Sequence, residues 1–310
     1  MTRRLLPPRL LLLLYGLTLL PALPATYTLF STLNTEAANS LAPLQLLDGF
    51  NYTVFDDFWA QSERAIRPIL RVGWLTTGLA ALLWTWATGG ILYSFSNPFR
   101  TPIRLETFWQ VGTHYVGRYV RLLGVTVLFT LAVFTVPFLI GILLAIAFES
   151  HLTERGLFGL GFGGFAVGLL GTWLVWCIAD YAKVLMYRTD ERSAFRAYGQ
   201  AGRFVLTNLR ATFGRYLLLL ALSAGLLGTY LLIDALLTMR NWPLIILVVV
   251  LQQAIIIGRV ALKMISLRVA YTVTQQVSLT GLTGCKDLAP QWRNAAPNPY
   301  IPLIRSRKHS

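Results

Sequence analysis

Three aspartates lie close together in an apolar segment of the chain and could act as ligands of a hard cation. Asp48, Asp56 and Asp57 fall within the run LLDGFNYTVFDDFW. Carboxylate oxygens are the ligands that calcium and magnesium prefer. Asp56 and Asp57 are adjacent, however, so on a helix their side chains would point about 100° apart. We therefore favour a solvated polar face over a cation site here.

The sequence offers little else for metal, disulfide or nucleophilic chemistry. Cys177 falls in an apolar run and Cys285 in a polar one, and the 3 histidines are scattered. No Cys-x-x-Cys pair and no zinc-type spacing occur. No Ser-His-Asp order, His-Glu-x-x-His helix or phosphate loop is visible. We predict no metal, no cofactor and no catalytic site, and we expect Cys177 to be a buried, inert thiol.

A glycine-rich run, GLGFGG at 159–164, matches the dinucleotide pattern Gly-x-Gly-x-x-Gly by letter. It lies in an apolar stretch and follows no soluble strand, so the context of that motif is missing. The pairs Gly159/Gly163 and Gly164/Gly168 give small-x-x-x-small spacing, which lets another helix approach closely in lipid. We predict that these glycines pack helices and that theirs is the central helix.

Few ionisable residues enter the apolar runs. Asp180 ends one of them, and Arg259 and Lys263 lie one turn apart near the end of another. We predict a structural ion pair between Asp180 and either Arg259 or Lys263. Snorkelling of the long side chains also accounts for both cations. A proton or ion path would place acids near the bilayer midplane, and the sequence places none there.

The elements that must position these residues are transmembrane helices. The chain of 310 residues is 55% hydrophobic and 13% charged, whereas globular proteins are about 25% charged. Continuous apolar runs long enough to span a bilayer indicate helices and not barrel strands. The sequence predicts an all-α membrane protein with six spans, at about 10–30, 72–95, 122–148, 157–179, 216–237 and 243–266.

The basic residues predict the orientation of these spans. With the N-terminus inside, every inner loop is rich in Lys and Arg, and the outer loops carry most of the acids. Both termini are then cytoplasmic, and the net charge of +14 needs no nucleic acid to explain it. We predict a membrane domain at 1–268 with an outer segment at 31–71, followed by a mobile cytoplasmic tail at 269–310.

The first span has a second interpretation. The run TRRLLPPR, an apolar stretch and PALPA are together typical of a secretory signal peptide, and Pro21 and Pro24 would break a helix. The uncharged stretch continues through Phe30, however, and is long enough to cross a membrane. We favour an uncleaved anchor; cleavage would leave five spans.

Two inner segments, near 105–122 and 192–210, interleave basic and aromatic residues. Both contain a Gly-Arg-aromatic-Val run, beginning at Gly117 and at Gly202. They predict two amphipathic helices in the anionic headgroup layer, and either a parallel internal repeat or a chance similarity. A lipid phosphate or an acidic partner would be the more specific ligand. The basic residues are Arg118, Arg121, Arg196, Arg203 and Arg210, interleaved with Trp109, Tyr115, Tyr119, Phe195 and Phe204.

Two segments carry a resemblance to known families. The run LLDGFNYTVFDDF resembles a set of uncharacterised bacterial integral membrane proteins. The run DYAKVLMYRTDERSAFRAYGQAGRFVLTN, from Asp180, is similar to a pattern in bacterial multi-pass proteins, including the membrane domain attached to some glycerophosphodiester phosphodiesterases. The resemblance implies a bacterial cytoplasmic membrane. It implies no phosphodiesterase activity, because the chain contains no such catalytic domain.

These observations favour a non-enzymatic scaffold or accessory subunit that contacts a membrane protein partner. A transporter or permease subunit built on the parallel repeat is the alternative. A membrane-embedded enzyme acting on lipid is the third hypothesis.

Overall fold

The computed structural model describes residues 8–39, 52–53, 56, 63–96, 105–148, 153–237 and 242–280. Its regular secondary structure in these ranges is helical throughout. The helices are α1 (Pro8–Asn39), α2 (Glu63–Ser96), α3 (Leu105–Ala147), α4 (Glu154–Thr189), α5 (Ala194–Thr207), α6 (Leu209–Leu236) and α7 (Trp242–Thr280).

Six of these helices are long and apolar enough to cross a membrane, counted over the described residues. The candidate spans are Pro8–Thr32, Arg67–Ser96, Leu105–Ala147, Arg155–Thr189, Leu209–Ile233 and Trp242–Gln275. The prediction of a six-span helical membrane protein is therefore confirmed. The chain is a multi-pass protein embedded in a lipid bilayer.

The chain divides into two compact units, 1–84 and 85–310. The first contains α1 and the beginning of α2. Pro21 and Pro24, predicted to break the first helix, lie inside the continuous α1. Membrane helices tolerate proline because local backbone adjustments and neighbouring polar groups satisfy the carbonyls that it frees.

The second unit is built around an antiparallel hairpin of α3 and α4. Tyr119 lies beside Lys183, and further along the hairpin Gly171 meets Val133. α3 has 43 residues and is roughly 65 Å long, about twice the thickness of a bilayer's hydrocarbon core. The segment 105–122 is therefore the first part of α3 and not the separate interfacial helix that was predicted. Hydropathy marks the lipid-embedded part of a helix, and α3 continues beyond it because α4 runs alongside and buries it.

α7 lies beside α4 and runs antiparallel to α6. Gln252 Nε2 on α7 donates to Tyr230 Oη on α6 at 2.9 Å. α7 continues to Thr280, so the first twelve positions of the predicted tail, 269–280, are helical. The remainder of that tail, 281–310, lies outside the described residues.

The buried core of the second unit lies at one end, which we call the packed end. It comprises the end of α2, residues 105–125 of α3, 175–189 of α4, α5, and residues 264–275 of α7. Beyond it, residues 128–147 of α3 and 155–171 of α4 form what we call the arm. Most side chains of the arm are exposed, and the most apolar window of α3 has 0% of its residues buried.

Candidate functional site

A buried carboxylate with two lysines joins α4 to α7 at the packed end. The Asp180 side chain is 2% exposed. Lys183 Nζ lies 3.0 Å from its Oδ1, and Lys263 Nζ lies 2.9 Å from its Oδ2 and 3.2 Å from its Oδ1. Ser266 Oγ donates to Oδ2 at 3.5 Å. We call these four residues the Asp180 cluster.

Helical spacing explains how the Asp180 cluster is assembled. Asp180 and Lys183 are three residues apart on α4, and Lys263 and Ser266 are three apart on α7, so each pair lies on one face of its helix. The structure thus brings Asp180 to Lys263, one of its two predicted partners. Arg259, the other, is exposed and makes no ion pair with the described residues. Lys183 was not predicted as a partner, although its spacing from Asp180 was the available signal.

The cluster lies near the boundary of the hydrocarbon layer. The stretch of α7 from Trp242 to Lys263 rises roughly 32 Å at 1.5 Å per residue, which matches a hydrocarbon thickness of about 30 Å. Trp242 is 79% exposed at the start of α7, where tryptophan is favoured at the interface. With Trp242 at one interface, this length brings Lys263, and with it Asp180, close to the opposite interface.

A second polar junction closes the C-terminal end of α4. Asp190 adopts the left-handed conformation, with φ 51° and ψ 29°. Arg118 Nη1 on α3 donates to the Asp190 carboxylate and, at 3.3 Å, to its backbone carbonyl. Tyr115 Oη also donates to this carboxylate, at 3.4 Å. Arg118, predicted to contact lipid headgroups, is 15% exposed, and its guanidinium is held by Asp190.

The other predicted headgroup residues lie at the surface. Arg121, Arg203 and Arg210 are exposed, and the Arg196 side chain is 68% exposed, 3.5 Å from Glu191. The aromatic residues between them fall into an exposed group and a buried group. Trp109 and Phe195 are exposed, whereas Tyr115, Tyr119 and Phe204 are fully buried in the packed end. These three rings, predicted to lie along the headgroup layer, pack in the core and do not face lipid. The four-residue spacing of Tyr115 and Tyr119 was the signal for a buried face.

α5 belongs to the core on one side only. Ser193 caps its N-terminus, and Ala197 and Ala201 are fully buried and allow close packing. Tyr198 stacks on Phe129 of α3 with ring centroids 4.9 Å apart and donates to the Val175 carbonyl of α4 at 3.3 Å. Burial raises the pKa of Tyr198 to about 12, so this bond persists in more alkaline solution than it would for an ordinary tyrosine, whose pKa is about 10.

The four predicted packing glycines divide between two faces of α4. A Cβ at Gly164 would lie 3.4 Å from the Pro137 carbonyl, and one at Gly168 would lie 3.2 Å from the Phe134 ring. Both therefore support the close approach of α3. Gly159 and Gly163 face open space. Gly171, which is not one of the four predicted glycines, is also tightly packed, since a Cβ there would overlap Val133.

The remaining sequence predictions concern the three aspartates, a metal site and the internal repeat. Asp48 and Asp57 lie outside the described residues, and Asp56 is exposed. No group of three or more His, Cys, Asp or Glu comes together among the residues that the structure describes. Of the two glycines that begin the similar runs, Gly117 faces open space, whereas a Cβ at Gly202 would lie 4.0 Å from the Ile178 side chain.

Comparison of the chain with family models, with curated proteins and with solved structures gives no match.

Proposed function

We propose that the protein is a non-enzymatic scaffold or accessory subunit of a membrane assembly. Its membrane would be the cytoplasmic membrane of a bacterium, with both termini in the cytoplasm. The observation that supports this proposal is that buried charged residues of the second unit link neighbouring helices. Asp180 and Asp190 each join two helices, and both lie at the packed end. A proton or ion path would require ionisable groups near the midplane, and the described spans place these charges in helix packing instead.

The arm provides the surface for a partner. Phe158 and Phe162 of α4 are 80% and 68% exposed. Lipid accounts for exposed apolar side chains, and Gly159 and Gly163, one turn apart and facing open space, additionally allow a second backbone to approach closely. The occupant that we propose is a transmembrane helix of another membrane protein.

In-cell photo-cross-linking tests this proposal. A photoreactive residue replaces Phe158 or Phe162 in the arm, and matched controls replace Leu218 or Leu231 of α6, which are 67% and 57% exposed. We expect a cross-linked protein of discrete mass from the arm positions and lipid adducts alone from α6. Gly163→Leu should lower the protein cross-link. Lipid adducts alone from all four positions would contradict a partner at the arm.

A further inference from the structure

The Asp180 cluster carries more positive charge than negative. Lys183 and Lys263 both contact the one carboxylate of Asp180, and no other acid among the described residues pairs with either lysine. The Lys183 side chain is 11% exposed. Two ammonium groups on one carboxylate leave an excess positive charge, and an uncompensated charge is costly near a low-dielectric layer. A counter-charge from outside the described chain would remove that cost.

Lys263 and Arg259 show where that counter-charge can approach. The Lys263 side chain is 37% exposed although its Nζ holds Asp180. Arg259 precedes it by one helical turn, so the two are neighbours on the surface of α7. Arg259 is exposed and makes no ion pair within the described ranges. Both residues lie near the hydrocarbon boundary, where the phosphate of a phospholipid is present.

We infer that the α7 face formed by Arg259 and Lys263 binds the phosphate of an anionic phospholipid, which neutralises the excess charge of the Asp180 cluster. The guanidinium of Arg259 can donate two parallel N–H bonds to two phosphate oxygens. Lys263 donates to Asp180 and to the phosphate from one ammonium group. This site is on α7 and not on the arm, so it does not depend on the proposed partner.

The experiment compares thermal stability in two kinds of nanodisc. The full-length protein is reconstituted in phosphatidylcholine alone and in phosphatidylcholine with phosphatidylglycerol, and the rise in Tm given by phosphatidylglycerol is measured. Arg259→Gln should lose more than half of that rise. Arg155→Gln, which removes an exposed arginine at the start of α4, is the matched control and should keep it. Native mass spectrometry should show about fivefold weaker retention of phosphatidylglycerol by Arg259→Gln, the factor for about 1 kcal/mol per basic residue.

The Lys183→Met variant distinguishes two effects of an anionic lipid. One is neutralisation of the excess charge of the Asp180 cluster, and the other is the general attraction of basic residues to an anionic surface. Lys183 is too buried for a lipid to contact, and its removal leaves one lysine on one carboxylate. We expect this variant to show a smaller rise in Tm with phosphatidylglycerol, and a Tm in phosphatidylcholine at or above that of the natural protein.

An unchanged rise in either Lys183→Met or Arg259→Gln would overturn the inference. Arg259 is exposed, so that variant remains informative if Lys183→Met does not fold. Inorganic phosphate added to the phosphatidylcholine nanodiscs should have no effect. Equal stabilisation by inorganic phosphate would show a site for a soluble anion and would overturn the assignment to lipid.

Discussion

Asp180 carries the ion pair that links α4 to α7. Its buried carboxylate accepts from Lys183 on its own helix and from Lys263 on α7. A buried ion pair adds little stability when compared with apolar residues of the same size. Removing only one partner, however, leaves a buried charge uncompensated and costs roughly 3–5 kcal/mol. The stability of the packed end should therefore respond to which charges are removed together.

We expect Asp180→Ala to lower the Tm of the purified protein in detergent markedly, because two lysines lose their counter-charge. The charge-free variant, Asp180→Asn with Lys183→Met and Lys263→Met, should recover most of the loss. Arg259→Ala should change Tm little in neutral detergent, since Arg259 makes no ion pair with Asp180. An Asp180→Ala protein as stable as the natural one would show that the cluster does not hold the helices together.

Asp190 has two roles: it adopts the left-handed backbone conformation and it pairs with Arg118. Two substitutions distinguish their contributions to stability. Asparagine tolerates the left-handed conformation, so Asp190→Asn should lose only the charge interaction with Arg118. Asp190→Ala should cost a further 1–2 kcal/mol or so, because a Cβ without local hydrogen bonding is unfavourable there. Chemical denaturation of both variants in detergent measures the difference. Equal destabilisation by the two would contradict the backbone contribution.

The sequence allowed one ion pair of the Asp180 cluster to be predicted but not the whole cluster. A lone acid at the end of an apolar run needs a cation, and Lys263 was one of two candidates. The participation of Lys183 depends on which face of α4 meets α7, and single-sequence spacing does not specify that. The burial of Arg118 against Asp190 depends likewise on the antiparallel register of α3 and α4.

At the scale of the helices, the close crossing of α2 and α3 depends on glycine. A Cβ at Gly89 would lie 3.2 Å from the backbone of Gly112, and one at Gly90 would overlap the ring of Phe108. Trp86 and Trp109 stack at the same crossing with centroids 4.1 Å apart. The end of α2 therefore approaches the start of α3 more closely than larger residues would permit.

Gly90→Ala should destabilise the protein by roughly 1–3 kcal/mol, because the added methyl forces the buried Phe108 to move. Gly117→Ala in α3 is the matched control, since a Cβ there meets nothing within 4 Å. That change should be neutral or stabilise by up to about 1 kcal/mol through helix propensity. Thermal unfolding in detergent gives both values, and the crossing would not be tight if the two variants behaved alike.

The number of membrane helices was predictable from sequence, and their ends were not. Apolar runs locate the part of each helix in lipid. They do not show where the helix stops, since α3 begins at Leu105 and α7 continues to Thr280 with sequences of mixed polarity. Those amphipathic extensions are stabilised by contacts between helices distant in sequence. A hydrophobic window does not record such contacts, and for that reason 105–122 was interpreted as a headgroup-layer helix.

For the whole molecule, the alternation of basic and acidic loops predicts the orientation in the membrane. Reporter fusions after residues 110, 200 and 300 should give cytoplasmic signals, because these segments follow or adjoin the most basic stretches. Fusions after residues 55 and 152 should give external signals. An external signal after residue 200 would contradict this topology, since it would place the exposed Arg196 and Arg203 on the wrong side.

If the charged residues of the packed end serve packing and the arm serves a partner, removing the charges should leave the arm's contacts intact. The measurement is the yield of the protein cross-link from the Phe162 position of the arm, in cells that produce the charge-free variant. We expect the same yield as with natural charges at 180, 183 and 263, because these residues lie at the packed end and take no part in contacts of the arm. A charge-free protein that keeps its Tm and its membrane level but loses the cross-link would contradict this separation of roles. The Asp180 cluster would then be part of the activity itself.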